Sequence, residues 1–466
     1  MCVLSLITVS ALTLFLVRTQ YSDTFNVLRR ALFSKVTGKP AIILVTVDTL
    51  RADHLSCYGY PKNTSPNIDA FAQEALLFEN CFSHAPVTSS SCASILSGFL
   101  PHETKVFGNL PLPTEVKTLP EILQQYGYKT AAVVSNYNLR RRAGWAQGFM
   151  IYDDTMNERE MVRRMPERTA EHTTRRAIEF LRQLHKDPLF MWIHYQDPHG
   201  PYTPPENFSA LFQDPNQKPR NLQLNRTESG RGGIPTYQRL GSNSDFYYYL
   251  ARYDGEIRYL DEQFKQLIES LKELAIYDDA LIIFTADHGE GLGEHQYYFA
   301  HGEYLYNSLI HVPLIIKFGK GKTGRKIEYV QHIDIVPTIV NMLKLPVVSP
   351  FRGVDLRTAN LKDRKIVGEM QSPRLKDGTR ISIGFDGLKL IYTPASKHYE
   401  LFNLKQDPHE TNNLIDEISY QEEAKALKLK LINTLKEDLL KLNIVNKPLK
   451  LTVEERKKLR SLGYVQ

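Results

Sequence analysis

Residues 41–47 read AIILVTV and stop at Asp48, and residues 280–285 read ALIIFT and stop at Ala286-Asp287-His288-Gly289. Runs this short, apolar at nearly every position and rich in β-branched side chains, leave no face for water. They suit strands buried on both sides. KTAAVV at 129–134, LFMWIH at 189–194 and VPLIIK at 312–317 repeat the pattern. Segments of helical periodicity at 119–126, 168–185 and 246–274 separate them. Strands alternating with helices predict an α/β fold, a parallel sheet covered on both faces. Ligands of such sheets gather beyond the carboxyl ends of the strands. The runs deliver polar residues there: Asp48, Ser135-Asn136, the stretch HYQDPHGPY and Asp287-His288.

The 466 residues exceed what one core requires. They divide into a hydrophobic segment and linker at 1–38, a large α/β domain at 39–355 and a smaller C-terminal α+β subdomain at 356–466. In the last, 381–392 and 399–403 read as antiparallel strands with turns at Asp386-Gly387 and 405–408. A helix follows with Leu427, Leu431, Leu435 and Leu439 on one face. Residues 206–245, rich in Asn, Gly, Pro and Arg, read as a long loop near the site.

Hydrophobic residues make up 42% and charged ones 24%, which excludes global disorder. The net charge of +6 is spread along the chain without a Lys/Arg block, so no nucleic-acid partner is expected. Cys2, Cys57, Cys81 and Cys92 contain no CxxC pair, which excludes a disulfide framework and zinc-finger spacing. Asn63, Asn207 and Asn225 open glycosylation sequons.

Residues 4–17 are nearly all apolar, shorter than the roughly 20 residues of a full span. They read as an uncleaved anchor, a signal-like segment or the last piece of a longer membrane region, giving a membrane-associated or exported (periplasmic, extracellular or lumenal) protein, with a buried N-terminal helix as the alternative. Arg18, Arg29, Arg30, Lys35 and Lys39 follow the run. On the positive-inside rule they hold the next segment in the cytoplasm, which conflicts with an exported catalytic domain.

Asp48, Asp287 and His288 bring two carboxylates and an imidazole to strand ends, a donor set for a divalent ion: zinc or manganese rather than calcium. A lone Asp-His pair is more often a cap and a structural histidine. Here it follows a buried strand and is flanked by glycines that let backbone approach a ligand. Thr88 lies in the hydroxyl-rich stretch APVTSSSCAS before a predicted helix at 91–96. A hydroxyl at a helix N-terminus can meet an anionic ester, although Ser and Thr also favour caps for local reasons.

Together, VTVDTLRADHLSCYGY, SPNIDAFAQEALLFENCFSHAPVTSSSCASILSG, TADHGEGLGEH, HGEYLYNSLIHVPLII and RSLGYV resemble the sulfatase family of the alkaline-phosphatase superfamily, from about residue 41 to the C-terminus. The resemblance implies an alkaline-phosphatase-like mixed or parallel sheet between helices, and a hydrolase of sulfate or phosphate esters. It implies a divalent cofactor (Zn, Mn or Ca) on Asp48, Asp287 and His288 with Thr88 beside it. His199 and His301 would be catalytic and contact the ester, and Asn136 and Asn138 would bind substrate where the family places a Lys-x-His pair. The implied substrate is a sulfated or phosphorylated small molecule, glycan or lipid headgroup.

Aligning on ILSG puts Thr88 where the family carries the Cys or Ser that becomes formylglycine. Ser90 then stands for proline, Cys92 for arginine and Thr49 for a second Asp. Threonine cannot yield an aldehyde, because its Cβ bears a methyl group. Taking Cys92 as the modified residue breaks the downstream register. An unmodified threonine nucleophile is similar to that of the phosphoethanolamine transferases. A membrane-surface transferase is therefore one alternative, and a non-catalytic anion- or glycan-binding relative another.

Overall fold

The computed structural model describes residues 39–346, 351–362, 364–371 and 378–439. The apolar run at 4–17, the RSLGYV segment and the side chains of Leu435 and Leu439 lie outside what it describes. Among the described residues, no helix is long and apolar enough to cross a membrane.

Eight strands form the main sheet: β1 (Ile42–Val47), β2 (Leu76–Phe82), β3 (Lys129–Val134), β4 (Ile151–Asp153), β5 (Leu189–Tyr195), β6 (Leu281–Ala286), β7 (His311–Phe318) and β8 (Gly324–Gln331). Their spatial order is β8-β2-β7-β6-β1-β5-β3-β4. Every residue of β1, β5 and β6 is buried, which is why their sequences do not alternate. Thr46 stands in register with Thr285 on one side and His194 on the other, so a polar row crosses the sheet one residue below the carboxyl ends of these strands.

The sheet is mixed. β7, expected as one more parallel strand, runs antiparallel to both β6 and β2. A parallel return needs a crossover across the sheet, usually a helix. The segment between β6 and β7 holds only the ribbon Gly291–Leu292 with Tyr298–Ala300 and short turns. It therefore leaves and re-enters at the same edge, and keeps Asp287, His288 and His301 together there. The reading from periodicity also passed over β2, β4 and β8.

The longer helices are α1 (Pro66–Gln73), α2 (Thr88–Ser97), α3 (Leu119–Gln125), α4 (Ala170–Leu184), α5 (Phe246–Glu273), α6 (Ile335–Met342) and α7 (Gln421–Leu439). α1 and α4 pack on α5, while α3 and α6 pack on α2. The two groups sandwich the sheet. α2 begins three residues before the predicted helix, so Thr88 is its first residue.

Near the C-terminus β9 (Ile366–Gln371), β10 (Thr379–Phe385), β11 (Leu388–Thr393) and β12 (His398–Asn403) form an antiparallel sheet in chain order. Leu427 and Leu431 of α7 bury against Ile383, Leu390 and Leu401 of that sheet. Glu369 of β9 bonds back to the main domain, its N–H to the His84 carbonyl (2.7 Å) and its Oε1 to His102 Nδ1 (2.6 Å). Lys389 of β11 lies 2.7 Å from Glu410, and both are buried.

The expected loop at 206–245 holds only short turns and the paired dipeptides Gln223–Leu224 and Gly233–Ile234. Asn63 and Asn207 are exposed. Asn225 is not a usable sequon in the folded chain: it is 6% exposed and its Nδ2 donates to the carbonyls of Ser229, Arg231 and Gly233.

Candidate active site

Asp48 follows β1 and Asp287 follows β6, and these strands are adjacent and parallel. The ladder continues one step past the strands: Asp48 N–H donates to Tyr195 O (2.9 Å) and Asp287 N–H to Val47 O (3.0 Å). The two carboxylates are thus fixed at the edge by backbone bonds, and both are fully buried.

Each carboxylate is held by one oxygen. Asp48 Oδ2 accepts from Asn136 Nδ2 at 2.6 Å. Asp287 Oδ1 accepts from the N–H groups of Thr49 (3.2 Å) and His288 (2.7 Å). The other oxygens, Asp48 Oδ1 and Asp287 Oδ2, have no hydrogen-bond partner. His288 Nε2 stands 3.6 Å from the first and 3.7 Å from the second. His288 Nδ1 is 2.9 Å from Gly289 O, so it carries the proton and leaves the Nε2 lone pair facing the carboxylates. Burial lowers the His288 pKa to about 4, so the ring is neutral at pH 7. Burial and the neighbouring Asp287 push Asp48 well above the usual carboxylate range. Burial acts to raise Asp287 too, but His288 and His194 hold it below its ordinary value.

Two buried carboxylate oxygens and a bare imidazole nitrogen, all within 4.8 Å of one another, fit a divalent cation. Unpaired buried charge is otherwise costly. Thr49, at the position of the missing Asp, has φ 57°, a conformation a β-branched residue rarely adopts. This turn aims its N–H at Asp287. Gly289 was expected to let backbone approach a ligand. The approach it permits is to the chain itself, since a Cβ there would lie 2.2 Å from Ser308 O.

Thr88 opens α2, so its hydroxyl sits at the helix end that bears unpaired N–H groups. Its Oγ1 is 3.5 Å from His288 Nε2. Cys92, one turn further along α2, is fully buried and faces His194 and Asp287. His301 packs against both His288 (ring centroids 4.6 Å apart) and His199 (5.1 Å). Its Nδ1 is 3.2 Å from Oε1 of the buried Glu290. Burial, then His301, depresses the His199 pKa well below its ordinary value, and His199 Nδ1 is 2.7 Å from Gly200 O.

Asn136, Asn138 and His199 line one recess with Glu160 and Arg163. Asn136 is committed to Asp48, and Asn138 N–H donates to Asn136 Oδ1 at 2.8 Å. Sequence reasoning assigned no role to Glu290, Arg51 or His194. Arg51 is buried and bonds Asp53, Glu294 Oε1 (2.7 Å) and the Glu290 carbonyl (3.2 Å), which fixes the segment behind His301. His194 carried a readable signal: it is the one ionisable residue in the run LFMWIH.

The family model described as Sulfatase matches residues 40–345. The chain is 23% identical over 491 residues to an N-acetylglucosamine-6-O-sulfatase of Bacteroides thetaiotaomicron, covering 86% of this chain and 87% of that protein. It is 24% identical to human iduronate 2-sulfatase, covering 82% and 78% of the two chains. The solved phosphonate monoester hydrolase of Agrobacterium radiobacter superposes with a TM-score of 0.70 at 20% identity, over 89% of this chain and 99% of that one. The chain belongs to the sulfatase family of the alkaline-phosphatase superfamily, hydrolases of sulfuric and phosphoric ester bonds.

Proposed function

We propose that this chain is a metal-dependent hydrolase of phosphate or sulfate esters whose nucleophile is the unmodified Thr88. The observation that carries this reading is the 3.5 Å approach of Thr88 Oγ1 to His288 Nε2, beside two partnerless carboxylate oxygens. A divalent cation (Zn, Mn or Ca) held by Asp48, Asp287 and His288 would polarise an ester oxygen and lower the pKa of a hydroxyl beside it.

The chain's own groups do the rest. Thr88 Oγ1 gives up its proton to solvent and forms a bond to the phosphorus or sulfur as the bond to the alcohol oxygen breaks. The free N–H groups at the start of α2 face the anion. His301, backed by Glu290, is the group placed to hand a proton to the leaving oxygen. His199, kept neutral by burial and by His301, steers the ester from the recess it shares with Asn136 and Asn138. Water then attacks the phospho- or sulfo-threonine and releases Thr88.

The names of relatives point to sulfated glycans, and one structural neighbour is a phosphonate monoester hydrolase. Thr88 favours the phosphorus side, since a simple threonine ester lacks the geminal diol that expels sulfate. The substrate class is a phosphorylated or sulfated small molecule, glycan or lipid headgroup.

The test is peptide mass spectrometry after incubation with paired aryl phosphate and aryl sulfate, with zinc, manganese or calcium supplied. A phosphorylated Thr88 peptide with phosphate turnover is expected. An aldehyde at Cys92 with sulfate turnover would overturn the threonine mechanism.

A further inference from the structure

Beneath the first donor set lies a second. Cys92 of α2, His194 of β5 and Asp287 after β6 bring a sulfur, an imidazole nitrogen and a carboxylate oxygen within 4.8 Å of one another, all fully buried. Three separate elements deliver these side chains to one point.

A second observation points to a ligand there. Neither ring nitrogen of His194 has a hydrogen-bond partner, although the side chain is completely shielded from solvent. Its Nε2 is 3.7 Å from Asp287 Oδ2, too far for a hydrogen bond, and that oxygen is partnerless too. Buried polar groups left unsatisfied in this way are rare and call for an explanation such as an ion. The bland reading, a buried apolar thiol beside a structural histidine, accounts for Cys92 but leaves both His194 nitrogens without partners.

We propose that Cys92, His194 and Asp287 form a second cation site, one that takes a zinc-class metal and adjoins the Asp48–Asp287–His288 site. A thiolate, an imidazole and a carboxylate select zinc, or cobalt in its place, over calcium and magnesium. Asp287 Oδ1 is occupied by two backbone N–H groups, and Oδ2 lies 3.7 Å from the Nε2 of both His194 and His288. The free oxygen is thus shared between the two sites. Burial, then Asp287 and Asp48, holds the metal-free Cys92 as a thiol. Loading therefore releases one proton to solvent as the sulfur–metal bond forms, with no change in oxidation state. The site is independent of which ester is cleaved.

The experiment is a titration of the metal-stripped full chain with Co2+, without substrate, read by bound-metal analysis and near-ultraviolet absorption. The native chain is expected to take two equivalents and to show a sulfur-to-cobalt charge-transfer band. Cys92→Ser is expected to lose the band and one equivalent, and Asp48→Asn to lose the other equivalent while keeping the band. Circular dichroism checks that each variant is folded. Absence of the band in the native chain overturns the proposal whatever the stoichiometry, and needs no variant. A band that persists unchanged in folded Cys92→Ser overturns it as well. A native chain that shows the band but turns over neither aryl phosphate nor aryl sulfate in a separate assay counts against the threonine mechanism and leaves the second site standing.

Discussion

Asn136 Nδ2 donates to Asp48 Oδ2 at 2.6 Å and so turns the other carboxylate oxygen, Oδ1, toward His288. A group that orients a metal ligand typically affects affinity about 10- to 100-fold. Asn136→Ala is therefore expected to weaken binding of the divalent cation by about that factor. Isothermal titration with zinc or manganese measures it, and unchanged affinity would show that the ladder alone aims Asp48.

Thr88 lies inside α2 with Val87 at the cap position, and no side chain caps that end. Removing the hydroxyl should leave stability nearly untouched. Thr88→Ala is expected to lower kcat by on the order of 10³-fold or more, the scale seen when a nucleophile is deleted. Thr88→Ser should keep part of the turnover. Activity of the alanine variant equal to that of the native chain would remove Thr88 from the mechanism.

Lys389 and Glu410 are both buried, 2.7 Å apart, and Glu410 also accepts from Asn307 N–H. Breaking a buried pair by removing one partner costs about 3–5 kcal/mol, because the other charge stays behind. Lys389→Met is expected to lose about that much in urea denaturation. The double variant Lys389→Met with Glu410→Gln should recover part of it.

A cluster of buried carboxyls behind the His199 loop is expected to make stability fall toward alkaline pH. Burial raises Asp197 to about 6, and burial and Asp197 raise Glu167 to about 8. Burial and Asp197 also raise Glu256 well above the ordinary range, and Thr203 N–H donates to its Oε1 at 2.6 Å. Unfolded carboxyls titrate near about pH 4, so above that the folded chain holds extra protons on these groups. Their stabilising effect is full below pH 4 and is lost as pH rises through the folded values. Buried His84 and His288, lowered to about 4, and His332, lowered to about 3, act in the opposite sense below roughly pH 6.5. The carboxyl effect is therefore read cleanly only above pH 7. Stability is expected to fall between pH 7 and 8.5, and to fall less in Glu167→Gln. Parallel slopes for the two proteins would rule Glu167 out as a source.

The strands that end at the candidate site were legible because they are buried on both faces. Residues 41–47, 189–194 and 280–285 can be little else. β2 and β8 escaped because Glu79 and Asn80 interrupt one, and half of the other is exposed at the sheet edge. The direction of β7 was not legible, since a buried strand reads the same either way along the chain. Among site residues, Asp48 and Asp287-His288 stand out as polar ends of apolar runs. Arg51 did not, because its bonds to Glu290 and Glu294 join positions more than two hundred residues apart, and Glu290 did not, because its contact with His301 exists only once the ribbon after β6 has folded back.

Thr88 and His288, two hundred positions apart in the chain, meet only after β2 and β6 have both joined the sheet around β7. On the proposed threonine mechanism, an emerging or half-folded copy holds the hydroxyl without the carboxylates and imidazole around it and is inert toward any ester it encounters. Loop-closure entropy delays such distant contacts. Catalytic competence thus serves as a built-in report that folding is complete, and assays of turnover count finished molecules rather than chains.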